Sequence, residues 1–305
     1  MNAKKKNRFR KYLPFYLMAL PCVIYFFINN YLPMTGLIIA FKNFNVQKGI
    51  WGSDFVGFDN FKFLFQSKSA WVITRNTLCY NLVWMVICLI AGLLVAIFLN
   101  EVRHASTKKF YQTVILLPYL ISMVVVSYLA YAFLSEQTGF INGILNALGL
   151  ESVRWYQKAE YWPFILTIVY LWKNIGFNAI ILLASLVGID TQYYEAADLD
   201  GAGKWKQVTQ ITIPMLKPTI IMLLTIGMGN IFRSDFGLFY QVPKNVGLLQ
   251  NATDTIDTFV FRALLQTGDI GMASAASFYQ SIVCFAMIVL FNYLMNRYSK
   301  ENAMF

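Results

Sequence analysis

Charge is scarce in this chain: Asp, Glu, Lys and Arg make up 13% of its 305 residues, against about 25% in a soluble domain. With 58% hydrophobic residues, a water-soluble globular domain is excluded and a polytopic membrane protein is expected. Histidine is almost missing. His104 stands alone, in a short polar stretch, so no histidine-based metal site or proton relay can form within the chain. The four cysteines, Cys22, Cys79, Cys88 and Cys284, all lie in apolar runs without paired spacing. That excludes a disulfide framework or zinc cluster and leaves them as small buried hydrophobes. No GxxxxGK(S/T) phosphate-binding loop is present, so the chain does not hydrolyse ATP by itself. No carboxylate pair falls inside an apolar run either, which removes intramembrane acid–base catalysis.

What charge there is lies unevenly. The net charge is +10, and six of the 25 basic residues (Lys4, Lys5, Lys6, Arg8, Arg10, Lys11) precede the first apolar run. This is the positive-inside signature of a cytoplasmic N-terminus, and it accounts for the basic balance without nucleic acid. A cleaved signal peptide is disfavoured by Pro14 and Pro21 and by the lack of an Ala-x-Ala site, so the run is expected to remain as a first membrane helix.

Apolar runs predict six spans: 15–28, with an irregular extension to 40, then 72–99, 114–133, 162–186, 218–232 and 277–293. At about 1.5 Å per residue these are of membrane-crossing length. Both termini are then cytoplasmic, in a multi-pass protein of the cell membrane. The loops at 100–110 and 188–217 fall inside, carrying Arg103, Lys108, Lys109, Lys204, Lys206 and Lys217. The long segments 41–71, 134–161 and 234–276 fall outside. Trp51, Phe55, Phe58, Phe61, Phe63 and Phe65 make the first of these an interfacial element. The expected division is a basic tail (1–12), a first helix with an outer segment (13–71), a transmembrane core (72–296) and a tail (297–305).

The loop between the fourth and fifth spans has its own chemistry. Glu195, Ala196 and Ala197 are good helix formers, and the two alanines leave a face that can enter a groove closely. Glu195 suits the positive end of a short helix. Asp200 precedes Gly201, which permits a sharp change of direction, and Pro214 with Pro218 is expected to restart the chain as the fifth span.

The spacing of Glu195-Ala196-Ala197, Gly201 and Ile211-Thr212-Ile213-Pro214 resembles the EAA loop of permease subunits of binding-protein-dependent ABC importers. Ile213 stands where many relatives have Leu. YLPMTGLIIAFKNFN at 31–45, VGFDNFKFLF at 56–65 and DTIDTFVFR at 254–262 resemble the LplB-like carbohydrate permease subfamily, so the likeness runs over nearly the whole chain. The resemblance implies an all-α ABC type I importer permease with about six transmembrane helices. It implies a heterodimer with a second permease subunit, two copies of an ABC ATPase subunit and an extracellular sugar-binding lipoprotein. ATP and Mg would bind the partner ATPase and no cofactor or metal this chain. The loop would couple ATP hydrolysis to transport.

Two groups of polar residues lie inside spans. Trp172, Lys173, Asn174 and Asn178 form a patch in the fourth, with a ring for stacking and amides for hydroxyl groups. A cation near the bilayer midplane costs at least a few kcal/mol, so Lys173 is expected to face either the pore or an interhelical partner. Asn230 and Arg233, one turn apart in the fifth span, resemble the sugar-holding positions of related permeases; Arg233 could equally reach headgroups or pair with Asp235. Two cations on the route point to an acidic oligosaccharide. The rival is an ion-coupled secondary transporter, which needs intramembrane carboxylates or related halves that this sequence does not display.

Overall fold

A computed structural model describes residues 2–298. Its principal helices are α1 (Asn2–Phe26), α2 (Lys68–Asn100), α3 (Ala105–Leu120), α4 (Met123–Leu134), α5 (Trp162–Val187), α6 (Gln192–Leu199), α7 (Ile213–Gly229), α8 (Ile256–Arg262) and α9 (Ile270–Tyr298). Five helical stretches, Tyr12–Phe41, Lys68–Asn100, Ala159–Val187, Lys204–Gly229 and Ile270–Leu294, are long and apolar enough to cross a membrane; α3 with α4 makes a sixth if the bent pair is one span. Helices suit this setting because each satisfies its own backbone polar groups.

Three expectations about the spans need correction. The third is not one continuous helix: α3 and α4 meet at an angle of 95°. Pro118 sits in the last turn of α3, and Ser122 restarts the chain by accepting from the Val125 N–H at 3.5 Å. The fifth does not restart at Pro214. Helix runs on from Lys204 through a π-turn at Val208–Thr212 into α7, whose wider bonding pattern accommodates a residue with no N–H to give. α7 also stops at Gly229, so the expected end at 232 lies beyond it. The sixth starts earlier than 277, at Ile270, where Asp269 accepts from the Met272 N–H at 2.8 Å.

The irregular first span is as the sequence indicates. α1 passes through a π-turn at Phe27–Tyr31, with Pro33 following, and ends as a 3-10 stretch at Thr35–Phe41. From residue 12 to residue 35 its side chains are exposed throughout; only the end packs against α9, where Ala40 is fully buried. The following aromatic segment is partly anchored. Phe41, Phe58, Phe61 and Phe278 form a cluster with Phe41 ring centroids 5.3–5.4 Å from the other three, while Trp51, Phe55 and Phe65 are exposed.

The bundle is built on α2 and α5, which pack along their length. Towards one end, Trp84 stacks on Tyr170 at 4.2 Å and donates to Thr167 Oγ1 at 2.8 Å, inside a core that includes Tyr80, Trp162, Leu166 and Phe239. Towards the other, Ala96, Leu99, Leu182 and Leu183 close the gap. Small residues set the helix spacing, as is usual between membrane helices: a Cβ on Gly176 would lie 2.1 Å from the Ile115 carbonyl oxygen of α3. Cys88 and Cys284 are buried as expected, but Cys22 on α1 and Cys79 on α2 are exposed, and all four thiols are free.

Candidate functional site

A cavity of about 520 Å³ opens between α2, α5 and α7. α2 supplies Asn81, Met85, Cys88 and Leu89; α5 supplies Tyr170, Asn174, Phe177, Asn178 and Ile181; α7 supplies apolar residues up to Gly227. Asn230, Arg233 and Asp235 complete the wall just past the end of α7. The sequence thus placed four residues, Asn174, Asn178, Asn230 and Arg233, that the fold brings to one cavity. It missed the aromatic wall: Tyr119 of α3 stacks on Phe177 with centroids 4.7 Å apart, and both line the space.

The polar groups here are partly spent within the protein. Asn174 Nδ2 donates to the Tyr170 carbonyl at 2.9 Å, Asn178 Nδ2 to Cys88 Sγ at 3.2 Å, and Asn230 Nδ2 to the Ile226 carbonyl at 3.2 Å. Asn174 and Asn230 each keep an oxygen and a second hydrogen for a ligand, while Asn178, which also donates to the Asn174 carbonyl at 3.3 Å, keeps its oxygen. Asp235 accepts from the Leu238 N–H at 3.1 Å as a helix cap, not from Arg233. The guanidinium of Arg233 is exposed and forms no ion pair among the described residues. Asn230 and Arg233 are not neighbours on a helix face, since α7 has ended; they are held by a turn in which the Arg233 N–H donates to the Asn230 carbonyl at 2.8 Å.

Lys173 and Trp172 lie outside the cavity lining. Lys173 is 9% exposed, and its Nζ donates to the carbonyls of Pro118, Tyr119 and Ile121, at 3.3 and 3.0 Å for the first two. These carbonyls end α3 at the break; the Pro118 carbonyl also accepts from the Ile121 N–H at 3.2 Å, and helix-end carbonyls of this kind lack the N–H partners of a following turn. A cation at a helix C-terminus also meets the negative end of its dipole. The interhelical alternative therefore describes Lys173, and the pore-facing one does not.

At the end of the bundle where α5 stops, α6 carries the Glu195 segment. Glu195 sits in its first turn, exposed beside exposed Ala196 and half-buried Ala197. Asp200 closes the helix, its N–H donating to the Ala196 carbonyl at 3.0 Å. Gly201 then takes φ +72°, and the Ala202 N–H returns to the Ala197 carbonyl at 2.9 Å. This is a left-handed helix end that a residue with a Cβ adopts reluctantly. Gln207 is buried and donates to Asp198 and to the Ala202 carbonyl. The loop is therefore a folded unit that presents Tyr193, Leu199 and Trp205 outward, Leu199 at 90% exposure. Pro214 is exposed in the first turn of α7.

Residues 88–300 match the family described as binding-protein-dependent transport system inner membrane component. The chain is 34% identical over 297 residues to the polygalacturonan/rhamnogalacturonan transport system permease protein YteP of Bacillus subtilis, covering 96% of this chain and 90% of that protein. It is 32% identical to protein LplB of the same organism, over 94% of this chain and 89% of the relative. A crystal structure of a bacterial ABC transporter that imports the acidic polysaccharide alginate contains a chain of the same fold. The TM-score is 0.87 at 31% identity, covering 97% of this chain and 99% of the other.

Proposed function

From the premise that the chain belongs to the family of binding-protein-dependent transport system inner membrane components, we propose that it is a permease subunit of an ABC importer for acidic oligosaccharides. It is a multi-pass membrane protein, and both of its termini are assigned to the cytoplasm by their charge. A second permease subunit would supply the other half of the pathway. Two ATPase subunits, holding ATP and Mg, would dock on α6 and its neighbours, and an extracellular binding protein would deliver the sugar.

The observation that carries this reading is the make-up of the cavity wall. Tyr119, Tyr170 and Phe177 bring aromatic rings to the wall, each with one face already stacked on another ring of the protein. Asn174, Asn178 and Asn230 offer amides to hydroxyls, and Arg233 offers a cation uncommitted to any ion pair among the described residues. Arg is suited to bidentate recognition of a carboxylate. The acidic polymer handled by the alginate importer supports the same substrate class.

The coupling geometry follows from chain continuity. α6 lies between α5 and α7, and both of these helices line the cavity. A push on α6 is delivered to the cavity walls through two rods, which is what alternating access requires.

The test is uptake of alginate pentasaccharide by the complete importer in proteoliposomes. Arg233→Ala is expected to raise KM about ten-fold, the worth of one charge-assisted contact, and to spare a neutral oligosaccharide. Unchanged KM for the acidic sugar would rule out the role of Arg233.

A further inference from the structure

Non-helical backbone past the end of α7 has no ladder of its own, so the placing of Arg233 depends on what grips the turn at 230–235. Three elements do. From α2, Asn81 Nδ2 donates to the carbonyls of Ile231 at 2.8 Å and Arg233 at 3.0 Å. From α8, Asp257 Oδ2 accepts from the Ser234 N–H at 2.6 Å and from the Ser234 hydroxyl at 2.7 Å. From α9, Gln280 Nε2 donates to the Phe232 carbonyl and, at 3.1 Å, to Asp257 Oδ1.

Asp257 is the hub of this arrangement. It holds the residue next to Arg233 and is itself held by Gln280, so it links α8 and α9 to the cavity rim. Its carboxylate is met by N–H and O–H donors. The nearby cation, Arg262, is taken by Asp254, whose other oxygen accepts from Thr258 at 2.5 Å. A charge surrounded by oriented donors is a stiff construction, because each donor bond to an ionised acceptor is short and strong.

The geometry points to Asp257 as a positioning residue for substrate selection: through the N–H and hydroxyl of Ser234 it fixes where the Arg233 guanidinium stands on the cavity wall. The inference rests on reading the cavity as the sugar's route. Bidentate capture of a carboxylate tolerates displacements of only about 0.5 Å. Asp257→Asn keeps the size of the side chain but replaces one acceptor by a donor, which then faces the Ser234 or Gln280 donors.

The experiment measures uptake of alginate pentasaccharide and of neutral arabinopentaose by the complete importer in proteoliposomes. Asp257→Asn is expected to raise KM for the acidic sugar about ten-fold while kcat stays within about two-fold and the neutral sugar is unaffected. Combined with Arg233→Ala, it is expected to add nothing further, since both changes act on one contact. Independently of any sugar, amide exchange at 231–235 should quicken at least about ten-fold in Asp257→Asn. If that variant does not assemble, Ser234→Ala removes only the hydroxyl donor and is expected to give the same pattern.

Equal losses for both sugars, KM effects that add in the double variant, or unaltered exchange would each overturn the role of Asp257. If Arg233→Ala raises KM and Asp257→Asn does not, that role falls while the cavity reading stands. If Arg233→Ala itself changes nothing, or neither sugar is taken up, the cavity reading falls and takes the inference with it.

Discussion

The Tyr194 hydroxyl lies 2.9 Å from the Thr212 hydroxyl, joining α6 to the π-turn at the root of α7. The bond is one of two side-chain links described between the helix proposed to meet the ATPase and the rod that reaches the cavity, the other being Gln207 to Asp198. Tyr194→Phe removes it at a cost of about 1 kcal/mol. We expect ATP hydrolysis by the complete importer to persist while sugar imported per ATP falls severalfold. An unchanged import ratio would show that α6 transmits force without this bond.

Gly201 isolates a conformational requirement. A Cβ there would meet nothing within 4 Å, yet φ is +72°, so alanine is disfavoured by backbone strain alone, about 1–2 kcal/mol. Gly201→Ala should loosen the end of α6 and lower ATPase stimulation by the loaded binding protein. Gly201→Asn, which tolerates the left-handed region better, should restore part of it. Equal behaviour of the two variants would argue against a backbone cause.

Lys173 should matter to stability and not to sugar selection. Lys173→Met keeps the length of the side chain but takes the ammonium donor from the carbonyls of Tyr119 and Ile121, and from that of Pro118, which keeps only the Ile121 N–H. A loss of about 2–3 kcal/mol is expected, seen as a lower unfolding temperature of the purified complex. The ratio of acidic to neutral uptake should not move; if it does, Lys173 reaches the sugar after all.

Gly176 is a steric counterpart. The Ile115 carbonyl oxygen lies 2.1 Å from the point where a methyl carbon on Gly176 would sit, so even alanine forces α3 away from α5, at about 1–3 kcal/mol or more. Gly176→Ala is expected to cut the yield of assembled importer sharply, measured by co-purification of the subunits. Normal yield would mean that α3 shifts easily.

The sequence made the class and the family resemblance legible because both rest on local signals: apolar run length, basic flanks, and fixed spacing around Glu195 and Gly201. It located the polar residues of the cavity to within an element, since a polar side chain in an apolar run is conspicuous. It could not distinguish Asn174 from its neighbour Lys173. One turns to the cavity and the other to α3, and that choice depends on a break three residues past Pro118 that apolar periodicity does not mark. The span end at Gly229 was hidden because Ile231 and Phe232 continue the apolar run past Asn230, whereas Asp269 just before Ile270 is a helix-start signal that hydropathy alone does not weigh. Asn81, Ser234, Asp257 and Gln280 gave little signal. Each is an ordinary polar residue until the fold sets them side by side, although Asn81 in the middle of an apolar run could have been singled out.

The break between α3 and α4 also bears on how the chain is made. Ribosomes deliver residue 121 some fifty positions before residue 173, and through that interval the carbonyls at the end of α3 lack the ammonium that later holds them. Bare carbonyls do not rest in hydrocarbon. The third apolar segment therefore has to wait in the translocon, or at the water interface, until the fourth has emerged, and the two enter the bilayer as a hairpin. Nascent chains stalled with Lys173 still inside the ribosome should leave the region around Ser122 open to water-soluble thiol reagents through a Ser122→Cys probe. Chains stalled after α5 has fully emerged should protect it.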